Sequence, residues 1–190
     1  MAVVVAAAVS DPAGAVEIGA VVPDFTAAAL DGAPFSLAEA VKTHAAVVVL
    51  FLSTVCPYSK YYSGHLRELD ERYRRRGVLF VGVNSNQFES ADEMREQARE
   101  YHHAFPLIRD DGSRIADAMG AERTPEAFVV AADGTLRYRG WIKSKVRSPD
   151  LQRAIEAVVA GKRVRRAETR TYGCAIDRPN AATVHHHPGP

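Results

Sequence analysis

Two unbroken apolar runs, residues 45–52 and 78–83, bracket a segment in which Tyr62, Leu66, Leu69 and Tyr73 recur at spacings of three and four. Runs apolar at every position fit strands buried on both faces, and the intervening periodicity fits a helix over 58–75 with one face against them. Arg74-Arg75-Arg76-Gly77 closes that helix in the expected way, basic residues followed by glycine. Upstream, residues 22–30 read as a first strand ended by Asp31-Gly32. Ser36, with Glu39 three residues later, reads as a capping box for a short helix over 37–42. Downstream the pattern predicts a polar helix over 91–101, a short strand over 105–108 and a short helix over 113–119. A strand over 126–131, a hairpin turn at Asp133-Gly134, a strand over 136–142 and a last helix over 151–160 follow. This order predicts an α/β sheet whose first half is parallel, with an antiparallel edge. Residues 163–190 carry no periodic apolar face. They are basic, then rich in Pro, Asn and His, and read as an extended tail laid on the domain or partly disordered.

With 190 residues, 47% of them hydrophobic, the chain suits one domain with some extra length at its ends. Residues 1–17 read as an N-terminal arm or the remnant of a signal segment, 18–162 as the domain and 163–190 as a C-terminal extension. The 24 basic and 23 acidic residues nearly cancel, so nothing global points to nucleic acid or an anionic membrane. No apolar run approaches the roughly 20 residues of a membrane-spanning helix. No glycine-rich phosphate loop signals an organic cofactor. There are two cysteines, Cys56 and Cys174, far apart in the chain. They cannot make a disulfide scaffold or a four-thiolate zinc site, but they can make one redox pair.

The chemistry centres on Ser53-Thr54-Val55-Cys56-Pro57-Tyr58-Ser59-Lys60. Cys56 falls where a buried strand ends and a helix begins. The free N–H groups and dipole of a helix N-terminus stabilise an anion there, which lowers a thiol's pKa and makes the sulfur a nucleophile. A second feature is Arg123-Thr124-Pro125, just before an apolar strand, where a proline is tolerated because no ladder N–H is needed.

Together these residues resemble the thioredoxin fold, and within it the redoxin branch of peroxiredoxins and their alkyl hydroperoxide reductase/thiol-specific antioxidant relatives. The resemblance covers about residues 18–162. Val22-Pro23-Asp24-Phe25 resembles the opening strand, residues 51–59 the active-site segment, Thr124-Pro125 the cis-proline that lies against the active-site cysteine, and Asp133-Gly134 the hairpin. Gly173-Cys174-Ala175-Ile176 and Asn84-Ser85-Asn86 resemble a peroxiredoxin-like subgroup. The resemblance implies a thioredoxin-like α/β fold, a central mixed sheet flanked by helices, with an extended C-terminal tail.

It also implies Cys56 as the attacking thiolate, meeting a peroxide to give a sulfenic acid or a disulfide to give a mixed disulfide. Cys174 is then the candidate resolving cysteine; a structural disulfide or a free tail thiol are the alternatives for it. Electrons would come from an external thiol or a thioredoxin-like donor, and a homodimer is compatible. The chain departs from the family at two places. Ser59 stands where a Cys-x-x-Cys motif has its second cysteine, and Val49 and Ser53 stand where typical peroxiredoxins have proline and threonine. Ser53 or Thr54 is the expected donor to a peroxide, and Arg123 the expected cation near the thiolate.

A different class of function is copper or zinc binding by His185-His186-His187 with the two cysteines. A third is an interaction module without redox chemistry. The compartment stays open between cytoplasm and periplasm.

Overall fold

The computed structural model of the protein describes residues 15–143 and 149–178. The N-terminal residues 1–14 and the histidine triplet at 185–187 lie outside the described residues.

Five strands make the central sheet: β3 (Ala46–Phe51), β4 (Val78–Asn84), β5 (Leu107–Arg109), β7 (Glu126–Ala131) and β8 (Leu136–Gly140), in the order β5-β4-β3-β7-β8. β3, β4 and β5 run parallel, β7 lies antiparallel to β3, and β8 antiparallel to β7. The expected mixed sheet, with its antiparallel half at one edge, is therefore present.

Alternation along the strands divides the core. Val47, Val49 and Phe51 of β3 face one side with Val81, Val83, Phe128 and Val130. They pack there under α1 (Leu37–Thr43) and α4 (Arg114–Met119). Val48 and Leu50 face the other side with Phe80 and Val129. That face is covered by α2 (Pro57–Arg74), through Tyr62, Leu66, Leu69 and Tyr73, and by α5 (Asp150–Val159), through Leu151, Ala154 and Ile155. Each fully buried side chain of this kind contributes about 1.5–3 kcal/mol, which is why the spacing in α2 dictates its docking. The remaining helix, α3 (Ala91–Tyr101), buries Met94 alone and leaves its polar faces to solvent.

Several boundaries differ from the sequence pattern. The single strand expected over 22–30 is a short hairpin, β1 (Thr26–Ala28) with β2 (Pro34–Ser36), outside the main sheet. Gly32 at φ 88° and the Asp31 side chain, which accepts from the Ala33 N–H at 3.0 Å, fold the chain back on itself there. Half of the expected capping box closes: Ser36 accepts from the Glu39 N–H, but the Glu39 carboxylate pairs with Lys42 at 2.6 Å. The complete reciprocal box belongs to Ser90 and Glu93 at the start of α3.

The described part of the tail is docked, not loose. Residues 167–169 run along β8, the outer strand of the main sheet. There the Arg139 N–H donates to the Ala167 carbonyl and the Thr169 N–H to the Arg139 carbonyl, at 2.9 and 3.1 Å. This covers an otherwise open sheet edge. Farther on, β9 (Cys174–Ala175) pairs antiparallel with β6 (Arg123–Thr124). Ile176 is buried against the core, and its N–H donates to the Glu122 carbonyl at 2.9 Å. No described helix is long and apolar enough to cross a membrane.

Candidate active site

β3 delivers the chain to Leu52, and Cys56 forms the N-cap of α2, with Pro57 in the first helical position. The Cys56 side chain is fully buried. Its S–H donates to the Thr124 carbonyl oxygen at 3.1 Å, and the bond following Thr124, to Pro125, is cis. The Thr-Pro element noted in the sequence thus stands beside Cys56.

Cys174 completes the group. In the β6–β9 ladder it lies directly opposite Thr124, so the same residue contacts both cysteines. Both cysteines are free. Burial pushes the Cys56 thiol up. Hydrogen bonds from the Cys174 thiol, the N–H groups of Ser59 and Cys174, and the Thr124 side chain outweigh that effect and bring Cys56 below its ordinary value. The Ser59 N–H belongs to the first turn of α2, where the helix leaves its N–H groups unpaired. Cys174 moves the opposite way, pushed up to about 12 by burial, by its hydrogen bond to Cys56 and by the charges of Cys56 and Glu89. The two thiols are therefore unequal: Cys56 ionises more easily than an ordinary thiol, and Cys174 less easily.

Thr124 carries a further asset. Its hydroxyl is buried and closes no hydrogen bond among the described residues. Ionised Cys56 is the partner it has.

Ser53 and Thr54 sit beside Cys56, but their hydroxyl hydrogens are engaged elsewhere. Ser53 Oγ donates to Glu89 Oε1 at 2.6 Å, and Thr54 Oγ1 to Glu89 Oε2 at 2.7 Å. The Thr54 N–H also donates to Glu89, and Asn84 Nδ2 does so at 2.7 Å. Ser53 Oγ in turn accepts from the Cys56 N–H at 3.0 Å, which fixes the turn that presents the sulfur. Arg123 is exposed and donates to the Gly173 carbonyl at 3.1 Å. Its charge is felt at Cys174, where it favours ionisation.

Glu89 is the residue that sequence reasoning missed. It is a buried carboxylate in the loop after β4, with four donors converging on it. Nothing periodic marks it; the one signal nearby is Asn84-Ser85-Asn86 at the strand end. Those residues are structural partners: Asn84 reaches Glu89, and Asn86 Oδ1 accepts from the Asp177 N–H at 3.0 Å and so anchors the tail. Among the described residues no group of His, Cys, Asp and Glu is arranged to hold a metal ion.

A buried cysteine at the N-terminus of the helix after a central strand, with a cis Thr-Pro bond beside it on a mixed five-stranded sheet, is the arrangement of a thioredoxin-like redoxin, a class of thiol-based oxidoreductases. Residues 18–139 match the model of the AhpC/TSA family, and the chain belongs to that family. Among solved structures, a hypothetical protein of Sinorhizobium meliloti 1021 is similar with a TM-score of 0.81 and 27% identity, over 88% of this chain and 98% of that one. An uncharacterized conserved protein of Geobacillus kaustophilus gives 0.79 and 29%, over 87% and 94%. Among curated proteins, the thiol-disulfide oxidoreductase ResA of Halalkalibacterium halodurans is 27% identical over 90 residues, which are 47% of this chain and 50% of that relative's length.

Proposed function

We propose that this protein is a thiol–disulfide oxidoreductase in which Cys56 attacks and Cys174 resolves. The observation that carries this reading is the juxtaposition of the two free thiols at one residue: the Cys56 S–H donates to the Thr124 carbonyl at 3.1 Å, and β9 sets Cys174 directly opposite Thr124. Their surroundings move the two thiols in opposite directions, Cys56 down and Cys174 up. Cys56 thiolate attacks one sulfur of a substrate disulfide, forming a Cys56–substrate disulfide and releasing the other half as a thiolate. The Cys174 sulfur then attacks Cys56, its proton passing to the departing second half. The substrate gains two electrons and two protons, and the enzyme is left as the Cys56–Cys174 disulfide. An external thiol or thioredoxin-like donor returns the two electrons. The lowered pKa serves this chemistry twice, because it raises the fraction of Cys56 present as thiolate and makes Cys56 the better leaving group of the pair when the internal disulfide is reduced.

Peroxide reduction through the same pair is the second reading. The unengaged Thr124 hydroxyl beside the sulfur favours it, since it can donate to a peroxide oxygen. The commitment of both Ser53 and Thr54 hydroxyls to Glu89 weighs against it, as does Val49 in place of the family's proline.

The test is intact mass and free-thiol count of the reduced protein after one equivalent of oxidised glutathione or of hydrogen peroxide, with Cys174→Ser alongside. Fast loss of both thiols with the disulfide, a trapped Cys56–glutathione adduct in the variant and peroxide oxidation no faster than that of free cysteine support disulfide exchange. Fast peroxide oxidation, with a sulfenic acid trapped at Cys56 in the variant, replaces it with the peroxidase reading.

A further inference from the structure

β6 is a two-residue strand that ends at the cis-proline beside Cys56, and it is the strand edge nearest the nucleophile. An exposed edge of this kind captures extended peptides, main chain to main chain. In this protein the edge is taken by the chain itself: Arg123 pairs with Ala175 and Thr124 with Cys174. Cys174 thus stands opposite Thr124, the position that the cysteine of an extended peptide would take if it paired with β6.

The occupant is firmly held on both sides of Cys174. On one side, Gly173 passes so close to Thr124 that a Cβ there would collide with the Thr124 carbonyl oxygen, and its φ of 144° suits glycine alone. On the other, Ile176 is buried, the Gln87 N–H donates to the Asp177 carbonyl at 3.0 Å, and Arg178 pairs with Asp117 at 2.8 Å.

We propose that β9 is a tethered occupant of the substrate edge, so that this protein acts on low-molecular-weight disulfides and excludes disulfides carried by extended peptides. The inference rests on the thiol–disulfide reading given above and names its substrate class. A small disulfide needs no strand edge. A polar cavity of about 630 Å3 lies along the tail just before β9: neither cysteine is in its wall, but their chain neighbours Arg123 and Gly173 are, with Tyr58 from the start of α2, Arg139, and Glu168 and Arg170 of the tail. Its size is that of a small-molecule site. Arg139 and Glu168 in its wall pair with each other, and Arg170, whose guanidinium lies over the Tyr172 ring, is placed to meet a carboxylate of a small disulfide.

The experiment measures the second-order rate at which the reduced full-length chain loses its Cys56 thiol to two probes. One is oxidised glutathione; the other is a disulfide-linked pair of extended, uncharged decapeptides. Expected for the wild type is a glutathione rate at least about tenfold above the peptide rate, the equivalent of about 1.4 kcal/mol. In Gly173→Ala, which forces β9 off β6, the peptide-to-glutathione ratio rises by about tenfold or more, and amide exchange at 174–176 speeds up alongside. Should Gly173→Ala fail to fold, Asn86→Ala, which removes the acceptor of the Asp177 N–H and so one of the bonds that hold the tail, takes its place. Equal wild-type rates overturn the exclusion, as does an unchanged ratio in a variant whose amides at 174–176 have become unprotected. If neither probe reacts faster than it does with free cysteine, the thiol–disulfide reading itself falls.

Discussion

Thr124 faces Cys56 with its carbonyl, at 3.1 Å from the sulfur, while its partner across the β6–β9 ladder is Cys174. One residue thereby brings two cysteines from distant parts of the chain together, and the consequence for their acidity is measurable.

Replacing Cys174 by alanine removes a thiol hydrogen bond that stabilises ionised Cys56. The pH profile for alkylation of Cys56 in the reduced wild type has its midpoint below that of an ordinary thiol. In Cys174→Ala the midpoint moves to higher pH, since fewer donors now offset the burial that disfavours the charge. An unmoved midpoint would show that the remaining donors, the N–H groups of Ser59 and residue 174 and the Thr124 hydroxyl, set the acidity without the Cys174 thiol.

Thr124→Val separates stability from reactivity. The Thr124 hydroxyl is buried without a partner in the thiol form, and burying an unpaired hydroxyl costs about 1–3 kcal/mol. The variant is expected to be more stable by about 1 kcal/mol in the reduced state, read from denaturant midpoints. Its Cys56 alkylation profile moves to higher pH, because the thiolate loses that donor.

Glu89→Ala leaves the Ser53 and Thr54 hydroxyls, the Thr54 N–H and the Asn84 amide without their common acceptor. The expected loss is about 3 kcal/mol or more of unfolding free energy. Ser53→Ala, which removes one of these donors and the acceptor of the Cys56 N–H, is expected to cost less, about 1–2 kcal/mol. A smaller loss in Glu89→Ala than in Ser53→Ala would contradict this account.

Glu126, beside the cis-proline, has its carboxyl raised above the ordinary value by burial, against the opposing effect of donors from Glu122, Arg123 and Thr171. The folded protein therefore holds this proton more tightly than the unfolded chain. The stabilisation is fully present below the ordinary carboxylate pKa and is lost as pH rises through the folded one. Glu126→Gln, neutral at every pH, is expected to gain stability relative to the wild type as pH rises from the ordinary carboxylate pKa through the raised one of the folded protein. Unfolding midpoints taken across that range check it; a constant difference would mean that the carboxyl does not titrate there.

Much of the architecture was legible because it is written in local patterns. The apolar runs at 45–52 and 78–83 can satisfy both faces only at the centre of a sheet, and the spacing of Tyr62, Leu66, Leu69 and Tyr73 admits one docked helix face. The first strand was misread because Val22 to Leu30 is apolar enough for a strand, whereas the turn at Asp31-Gly32 pairs three of its residues with the segment immediately after it.

The candidate site divides along the same line. Cys56 at a helix start, and Pro125 at the head of a strand, follow from chain order and residue type alone, because capping and the missing proline N–H act within a few residues. That Ser53 and Thr54 spend their hydroxyls on Glu89, that Arg123 turns to Gly173, and that Cys174 settles opposite Thr124 were decided by the tertiary structure. These are choices between partners far apart in sequence. A hydroxyl, a guanidinium or a tail strand carries no local mark of which acceptor or edge it will meet once the sheet and helices have packed.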